Sequence, residues 1–166
     1  AVWGDVPHEA ICQVAKNFGG VPHRAELVRV LDGVSYYNDS IGTSPTRTAN
    51  GTLQLYDRKI ILIAGGYDKQ IPYDTLGPII MDKVKTLILM GATADKIEAA
   101  VKAAPNYCEQ EIVILHANSM EKAVALAKEQ AQKGDIVSLS PASASFDLYP
   151  NFEARGNHFK NIVNAL

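Results

Sequence analysis

Three short stretches of this 166-residue chain concentrate residue types that hold anions: NDSIGTSP at 38–45, GGYDK at 65–69 and SPASASFDLYPNFEARG at 140–156. Lys69 offers a compact positive charge for a carboxylate or a phosphate. The Gly65-Gly66 pair ahead of it lets backbone approach a ligand closely. Thr43 puts a hydroxyl where a helix is about to start, and the free N–H groups of a helix start attract anions. Ser140, Ser143 and Ser145 add hydroxyl donors. Asp39 can accept hydrogen bonds from a ribose or, with Asn38, simply shape a turn. Arg24, beside His23, can reach a phosphate or stay a surface cation. Lys69 likewise reads as a ligand charge or as a solvated loop residue.

Several familiar chemistries are missing. The chain has no G-x-x-x-x-G-K-[ST] loop and no G-x-G-x-x-G fingerprint, so no nucleotide-binding loop of either kind is written in it. No G-x-S-x-G elbow surrounds the serines, and no motif ties a histidine to them. His8, His116 and His158 read as surface or partly buried residues. Cys12 and Cys108 read as small core residues.

The elements that must position the three turns alternate in type. Ile11, Val14, Ala15 and Phe18 fall at helical spacing over 7–18, with Asp5 as a cap and Gly19-Gly20 as a stop. Gly-Gly-Val-Pro then reads as a linker, and the domain proper begins near His23. Two Val- and Tyr-rich runs, 26–31 and 34–38, flank Asp32-Gly33, which is a hairpin signal. Ser44 as N-cap with Pro45 behind it predicts a helix over 45–56. Strands are expected at 59–64, 85–90, 111–115 and 135–139, and helices at 73–84, after Thr93, after Ser119 and over 151–166. Such alternation predicts a Rossmann-like, doubly wound α/β fold. The sheet should be mixed and mainly parallel, with an N-terminal β-hairpin and helices on both faces. Ligands bind such sheets outside the carboxyl ends of the strands, where all three turns would fall.

Composition narrows the function classes. A chain that is 47% hydrophobic with mean hydropathy −0.04 has material for a core and is not disordered. A net charge of −2 leaves no basic footprint for nucleic acid. No apolar run nears the ~18 residues of a membrane span. Two cysteines make no disulfide framework, which suits a reduced, cytoplasmic compartment. The first residues lack an initiating Met and a signal-peptide pattern, and the chain reads as a piece of something longer.

Together YNDSIGTSPTRT, ILIAGGYDK and LSPASASFDLYPNFEARG, in this order, resemble the C-terminal domain of the Mur ligases, most closely the members that add D-glutamate. The resemblance runs from about His23 to the end, and residues 1–22 look like the last helix and linker of that family's central ATPase domain. It implies part of an ATP-dependent amide ligase that joins D-glutamate to UDP-N-acetylmuramoyl-L-alanine through an acyl phosphate. Thr43, Lys69, Ser145 and Phe152 match D-glutamate contacts, and Arg24 and Asp39 match nucleotide contacts. No catalytic or metal-ligating residue is carried over, because ATP and Mg²⁺ are held mainly by the family's central domain. A monomer, inactive on its own, is expected. Ile41 stands where many members have Lys, and Ser143 where Cys is common. The alternatives are another Mur-type amide ligase or a non-catalytic α/β binding module.

Overall fold

The computed structural model describes Gly4 and residues 6–166. Asp5, expected as the cap of the first helix, lies outside the described residues. Helix α1 (His8–Asn17) is followed by the hairpin β1 (Glu26–Leu31) and β2 (Val34–Asn38). Asp32 and Gly33 both adopt positive φ, 52° and 81°, as a two-residue turn matched to strand twist requires. Next come α2 (Pro45–Asn50), β3 (Ile60–Ala64), α3 (Leu76–Lys83), β4 (Val84–Leu89) and α4 (Ala94–Lys102). The chain closes with β5 (Val113–His116), α5 (Met120–Gln130), β6 (Ile136–Leu139) and α6 (Phe152–Ala165).

The six strands form one sheet in the order β1-β2-β6-β3-β4-β5. Only the β1–β2 pair is antiparallel. This is the mixed, mainly parallel α/β sheet expected, and its core has two layers. Ile60, Leu62 and Ala64 of β3 pack with Leu53, Leu76, Ile80, Ile97 and Val101 on the face of α2, α3 and α4. Ile61 and Ile63 point the other way, onto Val124 and Ala127 of α5 and Phe159 and Val163 of α6. Every residue of β3 is buried, which is why KIILIA shows no polar alternation.

Several expected boundaries move for local reasons. The helix expected to reach residue 56 stops at Asn50, and a 3₁₀ turn, Thr52–Leu55, takes over. Gly51 lies under the Arg47 guanidinium, where a Cβ would sit 1.8 Å from Nη1. The helix expected from residue 73 begins at Leu76. Inside it, Gly77 lets α3 press on α4, because a Cβ there would lie 2.2 Å from the Ala100 carbonyl oxygen. The strand expected at 111–115 starts at Val113, after a 3₁₀ turn. Cys12 and Cys108 are half-buried rather than core residues. Cys12 lies on α1, which buries none of its residues, and its apolar stripe faces solvent.

Candidate functional site

Strands β2, β6 and β3 lie side by side and parallel, with Asn38 level with Leu139 and Leu139 level with Ile63. The three turns that leave these strands therefore emerge in a row at one edge. Connectivity sharpens the point. The chain runs outward from β3 through β4 to β5, then returns to insert β6 between β2 and β3. Such a reversal is the switch point at which doubly wound sheets bind ligands.

The third turn is stitched to the other two. The Ser140 hydroxyl donates to Asp39 Oδ2 at 2.9 Å and lies 3.1 Å from the Thr48 hydroxyl. The Ser143 hydroxyl lies 2.7 Å from Tyr73 OH and 2.8 Å from Thr93 Oγ1, and Thr93 Oγ1 accepts the Gly66 N–H at 3.1 Å. The Tyr67 N–H donates to the Ala144 carbonyl at 2.9 Å. Gly66 is obligatory here: its φ is 148°, and a Cβ would meet the Ala144 oxygen at 2.2 Å. Thr93 takes the N-cap position of α4 but makes no side-chain capping bond.

Arg155 holds the first and third turns together. Its guanidinium is buried, and Nε and Nη2 donate to the Ser40 hydroxyl and carbonyl at 3.0 and 2.8 Å. Nη1 donates to the Ser143 and Ala144 carbonyls at 3.1 and 3.0 Å. The Ser40 hydroxyl donates in turn to the Phe152 carbonyl at 2.8 Å. Burial pulls the guanidinium pKa down to about 10, which leaves the group charged at neutral pH. Arg155 was not singled out from sequence. Its signal was an arginine on the helix that follows a Ser-rich turn, one residue before the small Gly156.

The expected site residues fall into two groups. Lys69 is exposed, and its ammonium lies 3.5 Å from the half-buried Thr43 carbonyl, which brings the second turn to the first. Ser145 is 2% exposed, next to the Ala144 that both Tyr67 and Arg155 hold. Phe152 opens α6, its ring edge-on to His23 at 5.9 Å. Asn151 caps that helix, accepting the Ala154 N–H at 2.7 Å. The Phe152 and Glu153 N–H groups are left without intrahelical partners.

Asp39 and Arg24 make up the second group. Asp39 is fully buried, and its carboxylate accepts from the Ala25 N–H at 3.1 Å, the Ser140 hydroxyl and the Thr52 hydroxyl. Arg24 is exposed between two residues in the left-handed region, His23 (φ 63°) and Ala25 (φ 44°). Such strain persists only where neighbours enforce it. Glu26 does so by accepting the His23 N–H at 2.9 Å, and Asp39 by accepting the Ala25 N–H. Away from this edge, Asp95, Glu98 and His116 bring ligand-type atoms within 4.8 Å of one another. The Glu98 oxygens there are already engaged by Lys102 and His116, at 2.6 Å each.

A six-stranded, doubly wound sheet with a polar, hydroxyl-rich edge at its switch point defines an α/β ligand-binding domain. Residues 23–143 match the model of the family described as Mur ligase, glutamate ligase domain, and the chain belongs to that family. It is 58% identical over 155 residues to the UDP-N-acetylmuramoylalanine–D-glutamate ligase of Clostridium botulinum (strain Okra / Type B1), covering 92% of this chain and 33% of the relative. It is 56% identical over 168 residues to the enzyme of that name from Clostridium acetobutylicum, covering all of this chain and 36% of the relative. The chain thus spans about a third of the length of these relatives. A murein peptide ligase from Psychrobacter arcticus 273-4 shares the fold with a TM-score of 0.55 at 16% identity, covering 93% of this chain and 32% of that one. The folylpolyglutamate synthase of Mycobacterium tuberculosis does so with a TM-score of 0.60 at 12% identity, covering 93% and 36%. Among the described residues no helix is long and apolar enough to cross a membrane.

Proposed function

We propose that this chain is the amino-acid-binding domain of an ATP-dependent amide ligase that adds D-glutamate to UDP-N-acetylmuramoyl-L-alanine in peptidoglycan precursor synthesis. One observation carries the reading: Lys69 meets Thr43 across two turns, in a chain 58% identical to a D-glutamate-adding ligase. D-glutamate brings two carboxylates. The Lys69 ammonium suits one of them, and the Thr43 and Ser145 hydroxyls with the first α6 amides suit the other. Phe152 lines the approach. The chain's contribution to the reaction is to hold the amino acid so that its amine meets the acyl phosphate. That is catalysis by positioning rather than by acid–base chemistry.

Arg24 is proposed to face the nucleotide. Asp39 is proposed to act there by shaping the turn, since its carboxylate is engaged by protein donors. An ATP-dependent ligase implies Mg²⁺, but Asp39 is buried and bonded and does not fit as its ligand. Residues 1–22 are proposed to belong to the preceding unit of a longer, monomeric, cytoplasmic enzyme. The family match that begins at residue 23 and the unburied α1 support that division.

The test is an NMR titration of the labelled chain with D-glutamate, with L-glutamate as control. Shifts confined to Thr43, Lys69, Ser145 and Phe152, larger for the D isomer, are expected. Equal response to both isomers, or shifts elsewhere, refutes the assignment. Ligation by the purified chain with ATP would refute its role as a binding domain only.

A further inference from the structure

We propose that Arg47 is a second phosphate-contacting arginine, paired with Arg24 at the nucleotide end of the edge. The inference rests on the function proposed above and adds a residue that neither the turns nor the resemblance assigned.

Four features carry it. Arg47 Nη2 lies 3.7 Å from Asp39 Oδ1, close enough for attraction and too far for a hydrogen bond. The Asp39 carboxylate takes its hydrogen bonds from the Ala25 N–H at Oδ1 and from the Thr52 and Ser140 hydroxyls at Oδ2, so at this distance Arg47 is held to it by charge alone. The guanidinium therefore keeps donors free while its side chain is 31% exposed. Finally, the backbone makes way for it. α2 ends at Gly51, against which the guanidinium lies, and a Cβ there would meet both Nη1 at 1.8 Å and the Arg47 carbonyl oxygen at 2.6 Å.

Position decides what this cation meets. Asp39 Oδ1 is shared between Arg47 and the Ala25 N–H, so one carboxylate oxygen sets the place of Arg47 and of the backbone next to Arg24. Arg47 beside the backbone that carries the exposed Arg24 suits a diphosphate, whose oxygens accept from guanidinium forks. The carboxylate of D-glutamate has Lys69 instead.

The experiment uses the chain itself, with ADP and inorganic pyrophosphate as probes and D-glutamate as the independent arm. ADP and pyrophosphate are expected to shift the amides of Arg24, Ala25 and Arg47. Arg47→Gln should weaken both about tenfold, the size of one charge-assisted hydrogen bond, and leave the D-glutamate response unchanged. Arg47→Lys should fall between, because an ammonium cannot fork. If Arg47→Gln does not fold, Arg47→Lys and Gly51→Ala, which displaces the guanidinium, carry the test. ADP binding unchanged in folded variants, or ADP shifts remote from Arg24 and Arg47, overturns the proposal. Loss of the D-glutamate response in wild type would strike the functional reading instead.

Discussion

Asp39 and Lys69 stand on the same edge and have opposite situations. Asp39 is wholly buried and accepts from three protein donors, while Lys69 is exposed with one long contact to the Thr43 carbonyl. A charge whose partners are all protein groups belongs to the framework. A charge left in water beside a crevice is available to a ligand. The edge is therefore a rigid, internally bonded turn cluster that presents a few uncommitted groups. Arg155 falls with Asp39 in the first class, and Arg24 and Arg47 fall with Lys69.

The largest expected effect tests the framework side. Arg155→Ala removes four hydrogen bonds, leaves the Ser40 and Ser143 carbonyls buried without that donor, and leaves the Ala144 carbonyl only the Tyr67 N–H. It should cost about 3–4 kcal/mol in urea unfolding. Arg155→Lys should recover less than half, since one ammonium cannot span two turns. A loss of under about 1 kcal/mol for the alanine variant would show the turns to be held by their hydroxyl network alone. Asp39→Ala comes next, at about 3 kcal/mol, because it strands the Thr52 hydroxyl and the strained Ala25 amide and leaves the Ser140 hydroxyl only Thr48.

The contrast explains what could be read in advance. The strand–helix order, the Asp32-Gly33 hairpin and the location of the three turns at one edge follow from patterns local in sequence, and the sheet order only aligned them. Lys69, Thr43 and Ser145 stood out because small and polar residues after a buried strand are anomalous. Arg155 and Arg47 did not stand out, since an arginine on a helix is ordinary until its burial is known. Asp39 stood open between a ribose partner and a turn former because an aspartate in a turn looks the same whether it faces outward or inward. Burial is settled by contacts distant in sequence, such as Ser140 on Asp39, and no local spacing encodes them. The early end of α2 has the same origin, a side chain lying over Gly51.

A smaller effect concerns Glu26, at the start of β1. Burial pushes the Glu26 pKa up, but bonds from the His23 N–H, Lys160 and Asn38 outweigh it, so the carboxyl titrates below its ordinary 4.5. A folded-state pKa that is depressed gives stability that is present above the unfolded value and lost as pH falls through the folded one. Urea midpoints followed from pH 7 downward should therefore drop below about pH 4.5. Glu26→Gln should flatten that fall. An identical acid limb in the variant would place the sensitivity on other carboxylates.

Lys69→Ala should have the smallest effect on stability and the most selective one on binding. An exposed ammonium with one 3.5 Å contact contributes little to folding, so the unfolding midpoint should stay within about 0.5 kcal/mol of wild type. The D-glutamate titration should nevertheless collapse, while ADP shifts at Arg24 and Arg47 persist. In the full-length ligase the same change should raise KM for D-glutamate well beyond any change in KM for ATP. Equal effects on both substrates would move Lys69 out of the ligand class and into the framework with Asp39. Lost stability without lost binding would do the same. The division of the edge into held and offered charges would then have to be redrawn around Thr43 and Ser145.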